Sequence, residues 1–355
     1  DNEGTDYSCI SFNSVANTPI SITNNNFTNC GSNGYVILIP TNMKTLNIES
    51  NNITYDKNTN SGGISINSTG NINIIDTNFK STRTNPALMI NSIQSTGTTT
   101  NEININGCSF DRCGISSNND DSASPTTEKT ALSIESSSNS LGVIIDYCIF
   151  DSCSSINNNC FDFSISPTSF AFKNSVLKGM KGTGCNNYLG SLTFNNQFSL
   201  VLQNISFIDN SFKSLYGGGI GLMFKGLSQL QFDNCNFVNN EAIQDTTTSR
   251  PNEESKPPYY NGDGGAIQLG YICSMRDMKV IFSKCDFERN KAQRHGGAIS
   301  IQTLNTVELI ECTFNENKAN YDFGSELLFT NYYEKKLEGR GGAIYLNPSY
   351  TSTDG

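Results

Sequence analysis

The stretch Gly296-Gly297-Ala298-Ile299-Ser300-Ile301, followed thirteen residues later by Phe314-Asn315-Glu316-Asn317, decides how the chain is read. Gly264-Gly265-Ala266-Ile267, Gly341-Gly342-Ala343-Ile344, Gly217-Gly218-Gly219-Ile220 and Gly62-Gly63-Ile64 repeat the first phrase. Phe287-Glu288-Arg289-Asn290, Phe237-Val238-Asn239-Asn240 and Phe207-Ile208-Asp209-Asn210 repeat the second. Self-similarity of this kind marks a repeat architecture.

Alignment on the second phrase gives a column Phe27, Ile53, Phe79, Phe110, Phe150, Leu177, Phe207, Phe237, Phe287, Phe314, with spacings of 26, 26, 31, 40, 27, 30, 30, 50 and 27. Positions below are counted from this column. At −7 and −5 every repeat carries an apolar pair, from Ile20/Ile22 to Val307/Leu309. A spacing of two is strand alternation. The gap of three from −5 to −2 breaks it, so the chain bends there, and Asn24, Asp76, Asp146 and Asp233 at or near the bend suit a turn. After the Gly-Gly phrase a third strand points Ile64/Ile66, Leu88/Ile90, Leu132/Ile134, Ile267/Leu269, Ile299/Ile301 and Ile344/Leu346 inward.

Three short inward strands per repeat describe one coil of a parallel β-helix. Parallel crossovers are overwhelmingly right-handed. The predicted fold is therefore all-β: a right-handed parallel β-helix (solenoid) of about ten coils, with residues 1–355 as a single domain. The long spacings come from insertions at one corner, 116–129, 243–263 and 320–340, which must project from one side of the rod.

The pairing of Gly-Gly-Ala-Ile with Phe-x-x-Asn resembles the repeats of chlamydial polymorphic outer-membrane proteins and of similar, often Asn-rich, protist surface proteins. The resemblance is sharpest from Gly217 onward and looser before it, where Cys30, Cys113 and Cys153 stand in place of the Asn. It implies a β-helix displayed at a cell surface with adhesive or coat-building roles, and it supplies no catalytic residues.

Composition narrows the partners. A net charge of −10, with 23 basic residues scattered singly, offers no stripe for a phosphate backbone, so nucleic acid is not expected. No apolar run reaches the ~18 residues of a membrane span. Twelve cysteines and four sequons, at Asn26, Asn52, Asn67 and Asn204, point to an oxidising, extracellular or cell-surface location and make those asparagines glycosylation candidates.

Cys108, Cys148, Cys235, Cys285 and Cys312 occupy the inward −2 column. Adjacent coils bring Cα atoms about 4.8 Å apart, which suits a disulfide. Stacked buried thiols satisfy the same positions. Bridges are expected at Cys113–Cys153 and Cys160–Cys185, with Cys108–Cys148 and Cys285–Cys312 as further candidates. One histidine and no Cys-x-x-Cys pair argue against zinc. The +3 asparagines Asn210, Asn240, Asn290 and Asn317 read as a structural ladder.

Asp111 and Asp151 share the +1 column at a separation compatible with a retaining glycosidase pair. Solvated surface acids are the commoner meaning of such a pair, and alternation sends Arg112 elsewhere. His295 reads as an exposed turn residue, and Asn118-Asn119-Asp120-Asp121 lacks the ligand spacing of a calcium loop. No cofactor is expected. The insertions carry Tyr259, Tyr260, Phe329, Tyr332 and Tyr333, which are candidate contact residues or fold back on the rod.

The chain opens and closes at the same phase of the coil, as expected of a segment of a longer β-helix or of subunits stacked end to end. The expected function is that of a non-enzymatic structural or adhesive surface protein (coat, adhesin stalk or filament subunit) whose partners are its own copies, other surface proteins or glycans. The alternatives are a pectate-lyase-like carbohydrate-active enzyme and a non-catalytic glycan-binding module.

Overall fold

The computed structural model describes residues 8–12, 18–30, 34–39, 44–55, 62–68, 70–80, 86–92, 101–113, 131–136, 141–155, 161–183, 190–213, 219, 222–243, 262–269, 279–301, 306–319 and 342–346. Within them every element is a β-strand and every strand pairing is parallel, so the chain winds as a β-solenoid.

The column residues lie in a ten-stranded sheet that runs from Asn26–Thr28 to Thr313–Asn315. Its register is unbroken: Phe79 pairs with Phe110, Phe110 with Phe150, and Phe237 with Phe287. The strands bearing the −7/−5 pairs stack beside it from Ile20–Thr23 to Thr306–Ile310, and the strands after the glycines form the remaining side. Two long strands, Gly190–Gln203 and Leu222–Asp233, run from that last side into the next coil and join the two stacks as one sheet.

Three strands per coil is too few for part of the rod. A six-stranded ladder, from Ser154–Ser155 to Lys318–Ala319, forms a short additional side just after the +3 corner. Its inward position is +5, where Phe212, Ala242 and Ala292 are buried. The strands are only two or three residues long, too short for alternation to announce them.

The core is a set of stacks rather than a globular cluster. Phe79, Phe110 and Phe150 lie ring on ring with centroids 4.9 and 4.7 Å apart, and Phe207, Phe237, Phe287 and Phe314 continue at 5.0, 4.7 and 4.8 Å. Identical residues at a strand spacing of ~4.8 Å are brought to ring-contact distance by the backbone itself. A second stack, Phe232 on Phe282, meets the first edge-on.

The bends at −3, and most of those at +2, are each made by one left-handed residue. All ten −3 positions adopt positive φ: Asn24, Ser50, Asp76, Gly107, Tyr147, Asn174, Asn204, Asn234, Lys284 and Glu311. Eight +2 positions do the same, among them Arg112, Ser152, Asp209 and Arg289. One left-handed residue turns the chain while its N–H stays in the ladder, as Lys284 N donates to Ile310 O at 2.8 Å. Asn, Asp and Gly tolerate this conformation; Lys and Glu do so at a cost of ~1–2 kcal/mol. Lys284→Asn is therefore expected to raise stability by about 1 kcal/mol in urea denaturation.

Candidate functional site

The two corners are lined by the residues the repeat singles out. At −2, Asn51 Nδ2 donates to Ile22 O (2.8 Å) and Glu49 O (3.0 Å), while its Oδ1 accepts from Asn25 N (3.0 Å). The cysteines of this column make the donor half of the pattern. Cys285 Sγ donates to Phe232 O (3.4 Å) and Ser283 O (3.3 Å), and Cys108, Cys148, Cys235 and Cys312 repeat it.

At +3 the same exchange operates. Asn210, Asn240, Asn290 and Asn317 donate Nδ2 to the column residue one coil back, and the Oδ1 of each of the last three accepts from the backbone N–H of the asparagine before it. Cys153 Sγ donates to Phe110 O (3.2 Å) and Cys113 Sγ to Phe79 O (3.6 Å) at that corner. Asn and Cys share the donor role here because both are small donors aimed at a carbonyl that the bend leaves half-used, and only Asn adds the acceptor.

This corrects the disulfide expectation. Cys108, Cys113, Cys148, Cys153, Cys285 and Cys312 carry thiols, so the bridge expected at Cys113–Cys153 is not formed, and at the candidate pairs Cys108–Cys148 and Cys285–Cys312 the alternative of stacked buried thiols holds. Each sulfur donates to a carbonyl, and at Cys285 a side-chain hydrogen bond with Cys235, followed by burial, pushes the thiol pKa up, which disfavours the reactive thiolate. Among the described residues the bridge formed is Cys9–Cys30, with Cα atoms 5.8 Å apart. Cys160 and Cys185 lie outside the described residues.

The paired acids are tied to cations. Along the +1 column Lys80, Asp111, Asp151 and Lys178 follow one another on adjacent coils. Lys178 Nζ meets Asp151 Oδ2 at 2.8 Å, Lys80 approaches Asp111 at 3.9 Å, and Arg112 grips Asp111 with two bonds of 3.1 Å. Arg112 was expected to point away. Its positive φ of 51° breaks the alternation and turns the side chain back.

Burial pushes the Asp151 carboxyl up, but the hydrogen bonds from Lys178 and Ser152 and the charges of Lys178 and Arg112 more than offset it, leaving the pKa below the ordinary value. A general acid needs the opposite shift. A depressed carboxylate contributes stability that is complete above its unfolded pKa of ~3.9 and is lost as pH falls through the folded one. Asp151→Asn is expected to cost at most about 1 kcal/mol at pH 7, since the pair is partly exposed, and the difference from the parent should shrink in denaturation curves as pH falls below the ordinary carboxylate range and through the lowered folded pKa.

His295 is not exposed: it is buried at 4% and its ring stacks on Tyr345 at 4.4 Å. Asp263, at the end of the second insertion, accepts from His295 N (3.1 Å) and lies 3.3 Å from Arg294 Nε. Sequence reasoning missed this buried group. Asp263 and His295 hold the same place before their Gly-Gly phrases, which was the available signal.

Of the sequon asparagines, Asn26, Asn52 and Asn204 are exposed and Asn67 is half-buried. Several outward asparagines form amide ladders, Asn73 to Asn47, Asn78 to Asn52 and Asn91 to Asn67, each at 2.9 Å. Tyr259, Tyr260, Phe329, Tyr332, Tyr333 and Asn118 to Asp121 lie outside the described residues. Among the described residues no group of His, Cys, Asp or Glu is arranged to hold a metal, and no helix is long and apolar enough to cross a membrane. No protein-family model, no curated protein and no solved structure matches the chain.

Proposed function

We propose that this chain is an extracellular, non-enzymatic β-solenoid that builds or decorates a surface, as a coat, an adhesin stalk or a filament subunit. The observation that carries the reading is the use of its polar side chains along the rod axis. Corner asparagines and cysteines close the bends, outward asparagines bond to their own equivalents, and Asp111 and Asp151 are each neutralised by neighbouring cations. Such a rod is stiff and repetitive, and it resists local opening because every rung is held by the next. The Cys9–Cys30 bridge and the exposed sequons support an oxidising location. The insertions 116–129, 243–263 and 320–340 supply the contacts with other copies, surface proteins or glycans.

Electron microscopy of native material, together with incubation on a panel of acidic and neutral polysaccharides, tests this reading. Rods, or filaments with an axial repeat at a multiple of about 4.8 Å, and no polysaccharide turnover are expected. Turnover that disappears when Asp111 or Asp151 is changed would overturn it in favour of a carbohydrate-active enzyme.

A further inference from the structure

Tyr147 is the anomaly of the outer surface. It occupies the −3 bend with φ 51°, where the other coils place Asn, Asp, Ser, Gly, Lys or Glu. A bulky aromatic in this region is a genuine outlier, and such strain persists where something else gains from it. Core packing does not gain, because Tyr147 is 63% exposed. Beside it Ile149 is 42% exposed and pairs in register with the half-buried Val176. In other coils that column holds Asn26, Asn52, Asn78 and Asn236. The result is an exposed apolar strip beside an aromatic ring, on a rod whose other −3 bends carry polar residues or glycine.

The same bend two coils further on carries Asn204, first residue of the sequon Asn204-Ile205-Ser206. The register Phe150 to Leu177 to Phe207 places Asn204 about 10 Å from Tyr147, two strand spacings along the rod. Its direction is recorded by a hydrogen bond: Asn204 Nδ2 donates to Asn174 Oδ1 at 2.8 Å. The amide nitrogen, the atom that accepts a sugar, therefore faces back toward Asn174 and Tyr147.

We propose that Asn204 carries an N-linked glycan whose first sugars fold back along the bend and dock on Tyr147, Ile149 and Val176. The inference rests on the extracellular reading above, since it needs a secretory transferase and a lipid-diphosphate-linked oligosaccharide as donor. In the transfer, Nδ2 bonds to the anomeric carbon of the first sugar. The bond from that carbon to the donor diphosphate breaks, the lipid diphosphate leaves with the electron pair, and one Nδ2 proton passes to the transferase base. No oxidation state changes, and the remaining N–H keeps a donor for Asn174. The C–H face of a pyranose presents positive hydrogens to the negative face of the tyrosine ring. Lys173, partly exposed and paired at 3.4 Å with the buried Asp146, borders the track and offers a hydrogen bond to a sugar hydroxyl.

The test uses the chain secreted from a eukaryotic host, as the parent and as Tyr147→Gly and Tyr147→Asn, two residues that suit a left-handed bend. Glycopeptide mass spectrometry reads occupancy at Asn26, Asn52 and Asn204, and peptide N-glycosidase is applied to the native proteins. The Asn204 glycan should be released about tenfold more slowly than a glycan on Asn26 or Asn52, or than its own release after denaturation, as a contact of aromatic-stacking strength allows. Both variants should abolish the difference while melting no lower than the parent. An empty Asn204 with Asn26 or Asn52 occupied overturns this inference and leaves the extracellular reading standing. All three sites empty in secreted protein overturns both. Equal release from parent and variants overturns the docking.

Discussion

Gly297→Ala is expected to destabilise the rod by about 3 kcal/mol or more, whereas Gly342→Ala, the same substitution at the same place in the next coil, should change stability by less than about 1 kcal/mol. A Cβ on Gly297 falls onto the carbonyl oxygen of Gly342 and within 2.5 Å of Lys318 N. These are backbone atoms of the next coil, so no side-chain rotation relieves the overlap. The rung itself must move. Gly265 meets Gly297 O and Gly219 meets Gly265 O in the same way, so the column has a carbonyl where a side chain would stand. At Gly342 the nearest atom is Asn317 O at 4.0 Å, ordinary contact. Paired urea denaturation of the two variants measures the difference directly, and equal effects would show that the column is not the constraint.

Asn290→Leu should cost about 4 kcal/mol and Asn290→Cys roughly half of that. Asn290 is fully buried; its Nδ2 donates to Phe237 O at 2.8 Å, and its Oδ1 accepts from Asn240 N and Asn240 Nδ2 at 3.0 and 2.9 Å. Leucine fills the volume but leaves two N–H groups unpaired in the dark, each at ~1–3 kcal/mol, and takes the second donor from Phe237 O. Cysteine keeps the donor, as Cys153 does for Phe110 O, and loses the strong acceptor. The order parent, Cys, Leu in denaturation midpoint is the signature. A cysteine variant no better than leucine would show that sulfur and amide do not share one role here.

Much of this architecture was legible before any coordinates. The apolar pairs at −7 and −5, the column residue and the break of alternation at −3 predicted strands, their inward faces and a bend, and Leu46, Ile48, Phe79 and Phe110 are all buried where expected. Periodicity works because each coil meets only its neighbours, so one local rule is applied again and again. The rule fails where the conformation departs from it. Arg112 turned back to Asp111 because one left-handed residue cancels the alternation on which its outward direction was argued.

The sequence by itself determined the repeat, the strands with their inward faces, the bends and the column of small donors, since these follow from which side chains water rejects and which residues tolerate a bend. The tertiary structure alone decided what neighbouring coils do to one another. It showed that stacked cysteines bond to carbonyls instead of pairing, that Cys9 reaches Cys30, that His295 is covered, and that Tyr147 stands strained and exposed two coils from Asn204. Those outcomes depend on the direction of a bond across a spacing of ~4.8 Å, and a string of residue names carries the spacing without the direction.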